Sequence, residues 1–145
     1  MDAIKVKKLR ANAILPTYGS QEAAGADLYA CLDEDLVIAA GASAFVPTGL
    51  AMEIPKGCAG LIYARSGLAC KRGLAPANKV GVIDSDYRGE FMVVLYNHGT
   101  QEQTVSHGER IAQLVITPIL TPAYEETDVL SDTQRSAGGF GSTGK

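Results

Sequence analysis

Gly81-Val82-Ile83-Asp84-Ser85-Asp86-Tyr87-Arg88-Gly89-Glu90 gathers two aspartates and an aromatic ring behind a short apolar run. A carboxylate beside a ring and open backbone can activate a water or hold a hydrated cation, and the flanking glycines permit conformations that residues with a Cβ avoid. If the strand entering the segment continues to Asp86, its period of two aims Asp84 and Asp86 to the same side. The same residue types also make a plain hairpin turn in which Asp, Ser and Gly serve only the backbone. A second group of residues suits an anion. Ala64-Arg65-Ser66-Gly67-Leu68 follows an apolar run and can open a short helix, so that the Arg65 guanidinium, the Ser66 hydroxyl and unpaired amides all donate to phosphate. Ser66 as an ordinary helix cap with a solvated Arg65 explains the same letters. Asp27, in Ala24-Gly25-Ala26-Asp27-Leu28-Tyr29, sets a carboxylate at a strand entry, and Gln113 sets an amide within the apolar run that follows Gly108-Glu109-Arg110. An ordinary strand entry and a surface glutamine are the plain alternatives.

The stretch from Gly138 to Lys145 is glycine-rich around a single aromatic, Phe140. Gly139, Gly144 and Lys145 have the spacing of a phosphate loop, but no Ser or Thr follows the lysine and no helix can start there, so that motif is rejected. What remains is a flexible arm in which Arg135, Ser142, Thr143 and Phe140 can close over an anionic ligand and stack on a base. Without a ligand such an arm is expected to be disordered, since ordering each backbone residue costs about 1 to 2 kcal/mol.

Elements able to position these groups are short. Sixteen glycines and six prolines punctuate apolar runs at Ile4 to Leu9, Leu36 to Ile38, Ala44 to Val46, Leu50 to Ile54, Ala59 to Tyr63, Phe91 to Tyr96 and Arg110 to Thr117. That rhythm predicts an all-β sandwich or barrel. Helical turns fit only Ser66 to Lys71 and Ser131 to Arg135, and neither is long enough to stand alone. Phe91-Met92-Val93-Val94-Leu95-Tyr96 is apolar at every position, which predicts a strand covered on both faces by a second sheet or another subunit.

With 145 residues the chain is expected to be one domain that buries about two thirds of its unfolded surface. A net charge of −3 and a pI near 5.3 argue against nucleic acid as a partner, so a polyanionic ligand must meet a local concentration of Arg and Lys. Cys31, Cys58 and Cys70 form an odd set without CxxC spacing, and the first residues lack the apolar run of a signal peptide. These features predict reduced thiols and an intracellular, cytoplasmic protein, or a nuclear one in a eukaryote. His98 and His107 are the only histidines and no paired Cys/His spacing exists, which argues against a zinc site. No run of about eighteen apolar residues is present to span a membrane.

Taken in order, Ala24-Gly25-Ala26-Asp27, Arg65-Ser66-Gly67, Gly81 through Glu90, Gly108 through Gln113, and Arg135 through Gly144 resemble the five motifs of the trimeric dUTPases across nearly the whole chain. The third and fifth are long; the ordered set is what makes the resemblance specific. Ala64 stands where the family usually has Pro, and Ser136-Ala137 replaces a more usual glycine-containing pair, changes expected to loosen the phosphate loop and stiffen the arm. The resemblance implies a jelly-roll-like β-sandwich, the dUTPase β-clip, over residues 1–134 with one short helix. Residues 135–145 would form the arm that closes over an active site in a homotrimer with shared sites.

The activity it implies is Mg²⁺-dependent cleavage of dUTP to dUMP and pyrophosphate, which keeps uracil out of DNA and supplies dUMP for thymidylate synthesis. By resemblance Asp84 is the general base for in-line attack of water on the α-phosphorus. Mg²⁺ would be held mainly by the phosphates, with Asp27 reaching it through water. Arg65, Ser66 and Gly67 would bind the phosphate chain and the leaving pyrophosphate, Gln113 would help to place the α-phosphate and the water, and Arg135, Gly141, Ser142 and Thr143 would contact the substrate from the arm. Backbone between Asn78 and Ile83, including Gly81 and Val82, would read the uracil edge and leave little space for a 5-methyl group. Tyr87 would pack under the deoxyribose, Phe140 would stack on the base, and Met92 would contact the nucleotide or simply fill the core. Two other readings stand beside this one. A dCTP deaminase or bifunctional deaminase/dUTPase shares several motifs, and a non-catalytic nucleotide-sensing β-sandwich would bind dUTP without releasing pyrophosphate.

Overall fold

The computed structural model describes residues 3–139. Its elements in chain order are β1 (Val6–Lys8), β2 (Thr17–Tyr18), β3 (Ala26–Tyr29), β4 (Leu36–Ile38), β5 (Ser43–Pro47), β6 (Leu50–Met52), β7 (Cys58–Tyr63), α1 (Ser66–Arg72), β8 (Leu74–Pro76), β9 (Gly81–Ile83), β10 (Met92–Asn97), β11 (Gln103–Val105) and β12 (Arg110–Pro118). The fold is therefore all-β with one short helix. Thr17–Tyr18, Leu74–Pro76 and Gln103–Val105 are strands too short for apolar periodicity to reveal.

All pairings are antiparallel, in a five-stranded sheet ordered β2-β3-β12-β7-β9, a three-stranded sheet β5-β10-β8, and the pairs β1-β6 and β4-β11. Between the sheets lies a core whose Leu28, Val46, Leu50, Phe91, Leu95 and Ile111 are almost entirely buried. Each such side chain contributes about 1.5 to 3 kcal/mol of hydrophobic stabilisation. The buried polar groups are satisfied. Thr48 Oγ1 donates to the Phe91 carbonyl at 2.7 Å, and Asn97 Nδ2 donates to the carbonyls of Ile38 and Gln101 at 3.0 and 2.8 Å.

β12 is the spine of the site. Its register sets Gln113 opposite Asp27 on β3 and opposite Tyr63 on β7, so residues far apart in sequence meet across three neighbouring strands. Just beyond β7 the chain turns into α1, which Leu68 ties to the core and which ends at Gly73 in the left-handed conformation.

Within the chain β10 buries one face and leaves the other half-covered: Val93, Leu95 and Asn97 are buried while Met92, Val94 and Tyr96 are half-buried, because the three-stranded sheet turns one face to the core and leaves Phe45 of β5 exposed beside Val94 on the other. Of the two covers expected for that outer face, a second sheet of the same chain is not the one. One expectation needs correction. Residues 131–135 form no helix. A turn follows instead, with Ser136 N bonded to the Thr133 carbonyl at 3.2 Å and Gly138 N to the Arg135 carbonyl at 2.9 Å. The last strand ends at Pro118, and the described residues beyond it carry no helix or strand. Among the described residues no helix is long and apolar enough to cross a membrane.

Candidate functional site

β9 sits at the edge of the five-stranded sheet and pairs only with β7, with Gly81 opposite Ile62 and Ile83 opposite Gly60. Its outer edge therefore leaves backbone donors and acceptors without a strand partner among the described residues. Beside that edge opens a cleft of about 370 Å³, in the size range of a small-ligand site, lined by Asn78, Gly81, Val82, Ile83, Asp84, Tyr87 and Met92 among others. A side chain at Gly81 would crowd Asn78, since a Cβ there would stand 3.1 Å from Asn78 Nδ2. Met92 lines this cleft and is half-buried.

β9 stops at Ile83, so Asp84 and Asp86 do not share a strand face. They stand on a turn closed by a hydrogen bond from Tyr87 N to the Asp84 carbonyl at 3.2 Å, and only Asp84 lines the cleft. Arg88 Nη1 stiffens that turn by donating to the carbonyls of Ser85 and Tyr87 at 2.8 and 2.9 Å. The Asp84 side chain is exposed to solvent, where it can meet a water. The Tyr87 hydroxyl donates to the Glu90 carbonyl at 3.0 Å, and its ring centroid lies 6.1 Å from that of the buried Phe91. Glu90 is itself held in place: its Oε1 accepts the Gly49 amide at 2.7 Å.

A second cleft, of about 240 Å³, gathers Gly25, Asp27, Arg65, Ser66, Gly67, Arg110 and Gln113. Asp27 is buried, and both its oxygens are engaged, Oδ1 by Arg65 Nε at 2.6 Å and Oδ2 by Arg110 Nη1 at 3.3 Å. A buried carboxylate needs such partners, because an unpaired charge there is strongly disfavoured. Gln113 Nε2 donates to the Ala64 carbonyl at 2.8 Å, which leaves its Oε1 toward Gly25; a Cβ at Gly25 would lie only 2.7 Å from that oxygen. Close approach, not turn chemistry, is what requires glycine there.

Ser66 is not the helix cap. Arg65, in extended conformation, occupies the N-cap position and no side-chain hydrogen bond caps the helix, so Ser66 stands in the first turn and its hydroxyl is not spent on capping. Behind it, Arg72 anchors the helix to β11 and to the segment before β12. Its Nε donates to Gln103 Oε1 at 2.9 Å, its Nη1 to Glu109 Oε2 at 2.8 Å, and its third nitrogen to the Thr104 carbonyl. Arg65, Arg72 and Arg110 together line one further recess, so this acidic chain concentrates guanidinium groups where a polyanion would need them.

The linings of the two clefts share no residue. The first unites Asn78, Gly81, Val82, Ile83, Asp84, Tyr87 and Met92; the second unites Asp27, Arg65, Ser66, Gly67 and Gln113. Arg135 lines neither and donates from Nε to the Gly138 carbonyl at 2.8 Å. Phe140, Gly141, Ser142 and Thr143 lie outside the described residues. Arg110 was missed by sequence reasoning. It belongs to the Gly108–Gln113 segment, but only the pairing of β3 with β12, irregular between Arg110 and Ala112, brings its guanidinium to Asp27.

Among the described residues no three His, Cys, Asp or Glu side chains cluster as a metal cage. Asp27 is the one carboxylate lining the second cleft, which fits a cation carried mainly by its ligand's phosphates and touched by the protein through water.

Comparison with known proteins agrees with this architecture. The dUTPase family model matches residues 11–144. The chain is 49% identical over 141 residues to the deoxyuridine 5'-triphosphate nucleotidohydrolase of Syntrophotalea carbinolica, covering 97% of this chain and 96% of the relative. It is 51% identical over 131 residues to that of Desulfitobacterium hafniense, covering 90% and 87%. Among solved structures, the Staphylococcus bacteriophage 80alpha dUTPase with dUpNHpp superposes over the full length of both chains with a TM-score of 0.91 at 29% identity. A variant dUTPase from phage phi11 of S. aureus, described for its coordination of a structural Mg(II) ion, covers 88% of this chain and 98% of its own at a TM-score of 0.79 and 25% identity.

Proposed function

Because the chain belongs to the dUTPase family, we propose that its two clefts are the base end and the phosphate end of one reaction, the hydrolysis of dUTP to dUMP and pyrophosphate. The enzyme is a dUTP diphosphatase. The observation that carries the division of labour is Asp84 at the lip of a cleft walled by an unpaired strand edge. Uracil docks against that edge, where the backbone from Asn78 to Ile83 offers complementary donors and acceptors. Thymine is excluded by contact at its extra methyl, and cytosine by mismatched donors and acceptors, which leave buried polar groups unpaired. Tyr87 lies under the sugar and obstructs a 2'-hydroxyl.

Asp84 takes a proton from a water held in line with the α-phosphorus, and Gln113 places that water and the α-phosphate. Arg65, Ser66 and the Gly67 amide hold the phosphate chain and stabilise the charge that gathers on the departing pyrophosphate. Arg110 belongs with them. Substrate phosphates would share the two guanidinium groups with Asp27, and Asp27 is the residue that would hold a hydrated Mg²⁺ through water. When bound, Mg²⁺ would neutralise phosphate charge. The arm, residues 135–145, closes over the ligand, with Phe140 on the base and Arg135, Gly141, Ser142 and Thr143 on the phosphates. Because the two linings have no residue in common, we read the complete site as shared between chains of a homotrimer, with the half-covered face of β10 as a contact surface.

Pyrophosphate release from dUTP, dCTP, dTTP and UTP, each with Mg²⁺ and with chelator, tests the reading. Turnover confined to dUTP with metal is expected. Ammonia release from dCTP would point to the deaminase instead, and binding without turnover to a sensor.

A further inference from the structure

Tyr87 is exposed over nearly half its surface, yet its ring is held on two sides and given room on a third. Phe91 lies beneath it, tilted by 33°. Its hydroxyl is tethered to the Glu90 carbonyl at 3.0 Å, and Glu90 is pinned in turn by the Gly49 amide at 2.7 Å. The third side is a gap: a Cβ built on Gly89 would overlap the hydroxyl, Cζ and Cε2 of Tyr87, all inside 3.0 Å. Gly89 does not have a positive φ, so it is not held to glycine by the left-handed region, and the three atoms nearest to an added Cβ all belong to the Tyr87 ring and its hydroxyl.

We propose that Gly89 is a specificity-determining position: the space it leaves, together with the Glu90 carbonyl, holds the Tyr87 ring where it excludes a 2'-hydroxyl. A methyl group at 89 is relieved most cheaply by swinging the exposed ring outward, not by moving backbone. That motion breaks the tether to Glu90 and opens the floor of the sugar site to a ribonucleotide. The inference rests on the assignment of Tyr87 to the sugar made above. Gly89 touches no substrate and acts through Tyr87, so it is a positioning residue.

The test is the ratio of kcat/KM for dUTP to kcat/KM for UTP, a quantity that general loss of folded enzyme does not change. Gly89→Ala is expected to lower this ratio about tenfold, chiefly by raising kcat/KM for UTP. In a Tyr87→Ala background the added Gly89→Ala is expected to leave the ratio unchanged within about twofold, since no ring remains to displace. An unaltered ratio in the single variant, or an equal drop in both backgrounds, overturns the proposal. Should Gly89→Ala fail to fold, Tyr87→Phe removes only the tether and is expected to lower the ratio about threefold; no change there overturns it equally. A parent enzyme that cleaves dUTP and UTP alike overturns the Tyr87 assignment, and one that cleaves neither overturns the proposed function.

Discussion

Asp84 has the exposure of a group that works on solvent, whereas Asp27, buried between two arginines, has that of a group that organises neighbours. Asp84→Asn is expected to lower kcat by about 10² to 10⁴ with little change in dUTP affinity, read from single-turnover rates and equilibrium binding. An intact rate would remove Asp84 from the base role. Gly25→Ala drives a methyl toward Gln113 Oε1 and is expected to cost about 10- to 100-fold in kcat while the protein stays folded; unchanged kinetics would detach Gln113 from the water. The thiols differ in the same residue-by-residue way. Cys31 is buried and donates to Asn12 Oδ1 at 3.3 Å, and burial raises its pKa above the ordinary thiol value, whereas Cys70 is exposed. The folded protein thus holds the Cys31 proton more tightly than the unfolded chain does. Its contribution to stability is complete below the unfolded thiol's pKa and is lost as pH rises through the folded value. Iodoacetamide is expected to modify Cys70 first, with Cys31 reacting only on unfolding, as peptide mapping will read.

Strands and helix α1 were legible in the sequence to the extent that they were long. Leu36–Ile38 matches the apolar run at its exact bounds, and the helix needed only one residue more than its pattern suggested. What could not be read was pairing. Nothing in the order of letters says that Gln113 faces Asp27, or that Arg110 reaches the same carboxylate past an irregular register, because pairing is decided by packing across the whole sheet. The unbroken apolar run Phe91 to Tyr96 left a related choice open: its outer face is apolar and this chain only half covers it, but the letters do not say what covers the rest. The link between α1 and β11 was equally invisible, since it depends on Arg72 spanning two elements. Arg72→Leu strands Glu109 without its cation and is expected to lower unfolding free energy by about 1 to 3 kcal/mol, seen as a lower urea midpoint with unchanged slope. Leu95→Ala, in the middle of β10, is expected to cost about 2 to 5 kcal/mol in the same assay.

At the scale of the molecule, closure and assembly are the remaining questions. A chain truncated after Arg135 is expected to keep its fold and association state, by circular dichroism and light scattering, while losing most activity, because the proposed closure needs the remainder of the arm to exclude water from the phosphates. Full activity without those residues would refute the closure. The motifs of the chain were visible from the start, but that the third lines one cleft while the first, second and fourth line another was not, for division is a property of the folded surface. That partition has a consequence reaching beyond a single polypeptide. Two inactive versions of the enzyme, one crippled at Asp84 and the other at Gln113, are expected to rescue each other when co-refolded, since some mixed assemblies bring an undamaged half from each parent. The same defects placed together in one copy leave nothing for a wild-type-free mixture to recombine.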